Sequence, residues 1–327
     1  MNRREFIAGF GGAVGCFQCA QAQANHVESI GAIWSLARDN PEMQARLTGF
    51  DQGLERFGWF KGRNLHLEER FAEGNTKRFQ SLARDLVALR PKAIVAQSTP
   101  VALALLQERR SIPIVFFAVS DPVGSGLVSS LGRPGANATG VLLYEEGIVG
   151  KWLAMLKEVA PRLTRVALVA NPKTTSYDYF FQSAKVSAFA LGIELVPLPI
   201  ETAADVERAV QSFAAKPYGG LALPPDSTNI LHRDLLIRLA NKFSLPAVYP
   251  YRSFVTAGGL MSYSTDVPQQ VRLVASFVDR ILRGAKASDL PVETPTRYET
   301  TVNITAAKAL GLELPHAWLA LADEVVE

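Results

Sequence analysis

Four short turns carry the residues best suited to chemistry: Gln97-Ser98-Thr99-Pro100, Ser120-Asp121-Pro122, Asn171-Pro172 and Pro225-Asp226-Ser227-Thr228. Each sets a short side-chain oxygen or an amide beside a proline. That combination opens a helix, because Ser, Thr and Asp cap the first N–H groups and proline loses nothing in the first turn. Singly, each turn reads as a cap. Together they read as one binding edge, since unpaired N–H groups at a helix start favour an anion such as a carboxylate. On that reading Ser98 and Thr99 hold a carboxylate. Asp226, from a distant part of the chain, pairs with an ammonium, a charge-assisted contact that strengthens in a closed, dry cleft. One holder for each charge describes a clamp for an α-amino acid. Gln97, Ser120, Asp121 and Asn171 share these turns and are candidates for the same site.

Aromatic residues cluster at similar places. Trp34, with Ser35 after it, ends the first apolar run; Tyr144, Tyr177, Tyr249, Tyr251 and Tyr263 stand at strand ends or helix starts. A core role is the default for each. The alternative is a tyrosine-lined pocket for a flat or apolar side chain, with Trp34, Ser35, Tyr144, Tyr177, Tyr249 and Tyr263 as its candidates. Arg252, beside Tyr251, would instead serve an acidic substrate.

Other chemistries lack their residues. The only cysteines are Cys16 and Cys19, and His26, His66, His232 and His316 stand far apart, so neither a metal site nor a cofactor is expected. There is no G-x-S-x-G elbow, Walker loop, strand-following G-x-G-x-x-G or H-E-x-x-H. Gly9, Gly11 and Gly15 mimic a dinucleotide loop, but no strand precedes them. Glu68-Glu69 and Glu145-Glu146 are sequence neighbours, which point apart on a strand and read as solvated pairs. With 34 basic against 31 acidic residues, a net charge of +3 and no basic run of five, a nucleic-acid partner is excluded.

The elements that must position these turns alternate. Apolar, β-branched runs occur at 29–34, 64–70, 93–97, 113–119, 139–143, 165–170, 193–198, 219–223, 246–250 and 259–263. Helical spacing fills most gaps, as in Phe79, Leu82, Ala83, Leu86 and Leu89. Alternation of this kind predicts α/β architecture with parallel sheets covered on both faces. Ten strands overfill one sheet, and 327 residues at 48% apolar suffice for two units. The expectation is two doubly wound parallel-sheet lobes joined by a multi-strand hinge, with ligands beyond the carboxyl ends of the strands. Lobe 1 comprises 27–142 plus 267–289, and lobe 2 comprises 143–266 plus 290–327. The chain crosses first in the stretch Pro122 to Tyr144, again near Ser262–Asp266, and a third time in the proline-bearing segment 288–296 before a strand at 298–304.

Residues 1–24 read as an export signal: Arg3-Arg4, an apolar glycine-rich run from Phe6 to Phe17, and Ala22-Gln23-Ala24 as the cleavage site. Arg3-Arg4-Glu5-Phe6-Ile7 resembles a twin-arginine signal, with general secretion as the alternative route. About 12 apolar residues are too few to span a bilayer as a helix. A lipoprotein reading at Cys16 is disfavoured, because Ala13 stands where leucine is usual. The 303 residues that would remain contain no cysteine, in keeping with an oxidising compartment.

Several longer strings share one resemblance. Asp39-Asn40-Pro41-Glu42, Gly49-Phe50-Asp51-Gln52-Gly53-Leu54, Gly58-Trp59-Phe60-Lys61-Gly62-Arg63-Asn64, Ser98-Thr99-Pro100-Val101-Ala102, Val119-Ser120-Asp121-Pro122-Val123-Gly124, Arg133-Pro134-Gly135-Ala136-Asn137-Ala138-Thr139-Gly140 and Leu310-Gly311-Leu312 are similar, in order and spacing, to ABC-importer substrate-binding proteins that include tryptophan- and tyrosine-binding members. The resemblance covers nearly the whole chain. It implies a type I periplasmic-binding fold, a solute in the cleft, no reaction on that solute, and delivery to an ABC permease and its ATPase subunits. Contact with the membrane would be only through the permease, and the protein would be a periplasmic monomer. In members that bind aromatic amino acids the Ser/Thr-Pro turn and the Asp after the second-lobe strand are expected to hold carboxylate and amine; the matching positions here are Ser98, Thr99 and Asp226. Pro224-Pro225-Asp226-Ser227 departs from the usual Thr-Asp-Asn type of turn, which leaves the ligand's identity open. The alternatives are a ligand-sensing module that docks to a receptor, or an exported enzyme.

Overall fold

Ile30, Ala32, Ile33 and Trp34 are fully buried, so the first strand has no solvent face. A strand buried on both sides belongs inside a parallel sheet with helices on each face. The computed structural model describes residues 27–108, 111–145 and 147–327; the export-signal reading of 1–24 lies outside them. The first ten strands are β1 (Glu28–Trp34), β2 (Leu65–Phe71), β3 (Ala93–Gln97), β4 (Ile114–Val119), β5 (Ala138–Leu142), β6 (Arg165–Ala170), β7 (Glu194–Pro199), β8 (Gly219–Ala222), β9 (Ala247–Tyr249) and β10 (Met261–Ser264), close to the ranges the sequence predicts. Two more follow, β11 (Glu299–Asn303) and β12 (Glu324–Val326), the last without a sequence signal that singled it out.

Two sheets result. The first has the order β2-β1-β3-β4-β5 and the second β12-β11-β10-β9-β8-β6-β7. Every pairing is parallel except β10 with β11, where Met261 faces Val302 in an antiparallel register. Side chains of the first sheet alternate between two cores. Ile33, Ile94, Ile114 and Phe116 pack outward, against helices α2 (Phe79–Ala88) and α3 (Thr99–Glu108). Trp34, Val95, Val115 and Phe117 pack on the other face, against α1 (Pro41–Arg56). The second sheet is flanked by α4 (Ile148–Val159), α5 (Tyr177–Ala190), α6 (Ala203–Ala214), α7 (Ser227–Leu231), α8 (Arg233–Lys242) and α9 (Arg252–Thr256).

The chain crosses between sheets after β5, after β10 and before β11. Helix α10 (Val267–Leu282) leaves the second sheet and lies on the first, against α1, β3, β4 and β5. Residues 290–293 also stay with the first sheet: Thr139 donates to the Leu290 carbonyl at 2.6 Å, and Leu142 N–H to the Glu293 carbonyl at 2.9 Å. The third crossing therefore begins a few residues later than the expected boundary at 290. Helices α11 (Ile304–Ala309) and α12 (His316–Leu321) complete the second unit with β11 and β12.

Close packing of α1 on α10 depends on two glycines one turn apart. A Cβ at Gly53 would stand 2.7 Å from the Ala275 Cβ, and one at Gly49 would stand 3.2 Å from the Pro268 carbonyl oxygen. Side chains there would separate the helices, and overpacked interfaces of this kind cost about 1–3 kcal/mol. Gly53→Val is expected to lose stability in that range by urea unfolding. Gly132→Ala, at an exposed site with no neighbour within 4 Å of the added carbon, should leave it within about 0.5 kcal/mol.

Candidate functional site

Both sheets reverse strand order at one point. In the first it is between β1 and β3; in the second, between β6 and β8. The carboxyl ends of strands beside such a reversal splay apart and leave a crevice. Ser35 follows β1, Gln97 ends β3 and Ser98 follows it. Ser35 N–H donates to Gln97 Oε1 at 3.2 Å, and its hydroxyl reaches the Gln97 carbonyl at 3.0 Å and Ser98 Oγ at 3.3 Å. Next along the sheet edge, Thr99 Oγ1 accepts from Ser120 N–H and donates to the Ser120 carbonyl, both at 3.2 Å. Ser98, Ala118 and Asp121 all have positive φ, at 85°, 54° and 49°. Left-handed backbone at a residue with a side chain costs on the order of 1–3 kcal/mol. Two such residues in the turns after β3 and β4, and a third at the register break inside β4, mark this edge as held, not relaxed.

The second crevice is built around Asp226, the N-cap of α7. Its Oδ1 accepts from Thr228 N–H at 2.9 Å and from the Thr174 hydroxyl; its Oδ2 accepts from Asn171 N–H at 2.5 Å. Asn171 is itself fixed by Nδ2 donating to Thr228 Oγ1 at 3.0 Å. Asp226 is 3% exposed, and none of the ion pairs among the described residues involves it. Burial pushes its carboxyl up to about 6, against the downward pull of its hydrogen bonds to Thr174, Asn171 and Thr228.

The two crevices face each other. Ser35, Arg46, Gln97, Ser98, Thr99 and Ala118 from the first side meet Thr174, Asp226, Ser227, Ile230 and Tyr251 from the second around a cavity of about 20 Å³. That is space for about one water. The halves also touch directly: the Ser176 hydroxyl leaves the helix it begins uncapped and reaches Thr99 Oγ1 at 3.3 Å and the Ser120 carbonyl at 3.2 Å. A groove of about 530 Å³ opens alongside, between Asn40–Glu42 and residues 230–238, and shares Ile230 with the cavity. The cleft is shut, with both signs of charge inside it.

Of the sequence candidates, the fold brings together Ser35, Gln97, Ser98, Thr99 and Asp226 at the cavity wall. Ser120 and Asn171 stand behind it, fixing Thr99 and Asp226. Asp121 is turned away, its Oδ1 accepting from Gly124 N–H at 2.7 Å in an exposed loop. The aromatic-lined pocket is not formed. Trp34 is wholly buried, donating to Glu69 Oε1 at 3.1 Å and meeting Phe50 edge-on. Tyr177 is a core strut: its hydroxyl donates to the Leu168 carbonyl and accepts from Leu198 N–H. Tyr249 stacks on Phe254 with 1% exposure. Tyr144 and Tyr263 both stack on Tyr298, at 6.2 and 5.0 Å, one tyrosine from each of the three crossing segments. Amphipathic rings at strand ends thus clamp the hinge; aromatic pairs of this kind contribute about 0.5–1.5 kcal/mol each.

Two further expectations change. Arg252 is paired with Glu324 on the surface of the second half. Glu69 is not solvated: it accepts from Trp34 and pairs with Arg38, with its side chain 9% exposed. Sequence reasoning missed Arg46, Thr174 and Ile230, whereas Tyr251, one of the strand-end aromatics it named, does line the cavity. A signal for Arg46 was present. Met43, Leu47, Phe50 and Leu54 define the buried face of α1, and position 46 falls on that face. Among the described residues no three His, Cys, Asp or Glu side chains are grouped to hold a metal.

Residues 35–326 match the sequence profile of the family described as ABC transporter substrate binding protein. This chain belongs to that family. The substrate-binding protein is 27% identical, over 84% of its own length and 79% of the relative's, to a tyrosine-binding protein of Clostridioides difficile (strain R20291). Among solved structures it is similar to a conserved domain protein from Vibrio cholerae, with a TM-score of 0.85 at 30% identity, over 91% of this chain and 99% of that one. It shares its fold with an ABC domain from Streptococcus pneumonia in complex with L-Trp, again at TM-score 0.85 but 21% identity, over 92% and 100% of the two chains. Its role is to bind a solute. Substrate-binding proteins of ABC importers work outside the cytoplasm, and no helix of the described residues is long and apolar enough to cross a membrane.

Because the Asp226 carboxyl titrates higher in the folded chain than in the unfolded one, the folded state binds more protons between about pH 4 and 6. Its contribution to stability is therefore full below about pH 4 and lost as the pH rises through about 6. Urea unfolding of the ligand-free protein should show that loss against Asp226→Asn, which carries no titrating group there. Parallel pH profiles for the two proteins would show that Asp226 is not perturbed.

Proposed function

We propose that this protein captures an α-amino acid in its cleft, outside the cytoplasm, and delivers it unaltered to an ABC permease and its ATPase subunits. One observation carries the reading: Asp226, a buried carboxylate on the cavity wall with no ion-pair partner, is placed where a ligand ammonium would complete it. A buried charge without a partner is costly, and an ammonium relieves that cost while keeping the hydrogen bonds that already orient the carboxylate. Residues Ser35, Gln97, Ser98 and Thr99 form the opposite wall. The names of the relatives, a tyrosine-binding protein and a domain in complex with L-Trp, favour an aromatic amino acid among the candidates. The signal-like stretch 1–24, with Arg3-Arg4 and Ala22-Gln23-Ala24, supports export to the periplasm.

The mechanism is a population shift between open and closed arrangements of the lobe built on the first sheet and the lobe built on the second. A solute that touches both walls binds the closed form better, and only that difference in affinity can drive closure. Three crossing segments tied by Tyr144, Tyr263 and Tyr298 allow hinge closure while resisting twist. The permease then recognises the closed form.

A thermal-shift screen of amino acids, aromatic acids, nucleosides and sugars should single out an amino acid, since a ligand of the native state raises the unfolding midpoint. Calorimetric titration of that ligand should weaken by about 2–5 kcal/mol in Asp226→Ala, the range for truncating one side of a buried charge pair. Affinity should also fall as the pH drops below about 6, where Asp226 takes up a proton. Equal affinity in the variant would remove Asp226 from the site.

A further inference from the structure

Arg46 is the other charge in the cavity. It projects from the buried face of α1, one turn from Met43 and Phe50, and is 1% exposed. A guanidinium stays protonated at any physiological pH, so this is a permanent cation taken out of water. Buried ions of this kind are normally paired and fully hydrogen-bonded. Here Nε and Nη2 have no hydrogen-bond partner. The Tyr251 side chain from the opposite wall shares a hydrogen bond with Arg46, and its ring lies 5.5 Å from the guanidinium carbon, contacts that leave Nε–H and Nη2–H unused. Nε–H and one Nη2–H lie along the same edge of the guanidinium, in the fork that receives both oxygens of a carboxylate.

The turn at Ser98 and Thr99 has less to offer an anion. Thr99 Oγ1 already exchanges hydrogen bonds with Ser120 and accepts from Ser176, and Ser98 N–H is spent on the Phe117 carbonyl at 2.9 Å. Proline at position 100 has no N–H to give. The strongest unmet donors in the cavity are those of Arg46.

Building on the amino-acid reading above, we infer that Arg46 is the carboxylate anchor of the cleft. The ligand's carboxylate lies two-pronged on Nε and Nη2 while its ammonium faces Asp226. One charge is supplied from α1 on the first side and the other from the start of α7 on the second. The ligand class is then a zwitterion with a free carboxylate. Amino-acid amides and esters, amines, sugars and nucleosides are refused, because they leave a buried guanidinium unpaired.

The test uses the full-length mature protein, the twenty common L-amino acids, and the carboxamide of each one that binds. Wild type should bind the acid at least about 30-fold more tightly than its amide. Arg46→Met should lose at least about 30-fold for the acid and change less than threefold for the amide, so that the two effects are one. Ligand-free Arg46→Met should unfold at the same or a higher temperature, since it removes an unpaired buried charge; a purely structural Arg46 would lower that midpoint. If an amino acid binds but the variant weakens acid and amide equally, or weakens neither, Arg46 is not the anchor and the amino-acid reading stands. If wild type binds none of the twenty, both fall together.

Discussion

Charge taken out of water governs this molecule. Asp226 and Arg46 are both nearly inaccessible, carry opposite charge, line one small cavity from opposite halves, and are not paired with each other. A buried ion is tolerable only with compensation, and the halves supply it unequally. Asp226 has three hydrogen bonds from the backbone and a hydroxyl, whereas Arg46 has an aromatic face and two idle donors. Everything else in the fold keeps these two groups dry and facing.

The two sheets do so by repetition. Each runs strands outward in both directions from one reversal point, so the loops that follow β1, β3, β6 and β8 meet at the centre of the molecule. Ser98, Ala118 and Asp121 hold positive φ along the first edge, and the hydroxyl of Ser176 ties it to the second. Between the halves, Tyr144, Tyr263 and Tyr298 stack where the chain crosses, and Thr265 donates to the Leu143 carbonyl at 3.3 Å. Stacked rings slide and tilt at small cost compared with breaking a ladder of backbone bonds, which suits a hinge.

A solute-binding protein needs a cleft that is stable when shut and poor when empty. The cavity meets the second condition through its charges and the first through packing around it: the helices α1 and α10 press together at Gly49 and Gly53, so α1, which carries Arg46, has little freedom to swing the side chain out. On the proposed mechanism, rigid support behind an unmet charge favours closure over local rearrangement when the ligand binds.

Alternation of β-branched runs with helical spacing determined the α/β class, eleven of the twelve strands and the doubly wound lobes, because burial on both faces leaves a period that local composition records. The cap-forming turns likewise singled out Ser98, Thr99 and Asp226, which the fold sets around one cavity because turns after parallel strands share an edge. β12 escaped, being three residues long and given a partner only by β11. So did the roles of the tyrosines: a ring at a strand end can line a cleft, fill a core or clamp a hinge, and nothing local distinguishes these. Arg46 was the reverse case, a charge whose position on an apolar helix face was visible but whose opposite, Asp226, lies 180 positions away in sequence. Which buried groups confront each other is set by how the two sheets are docked, and only tertiary structure decides that.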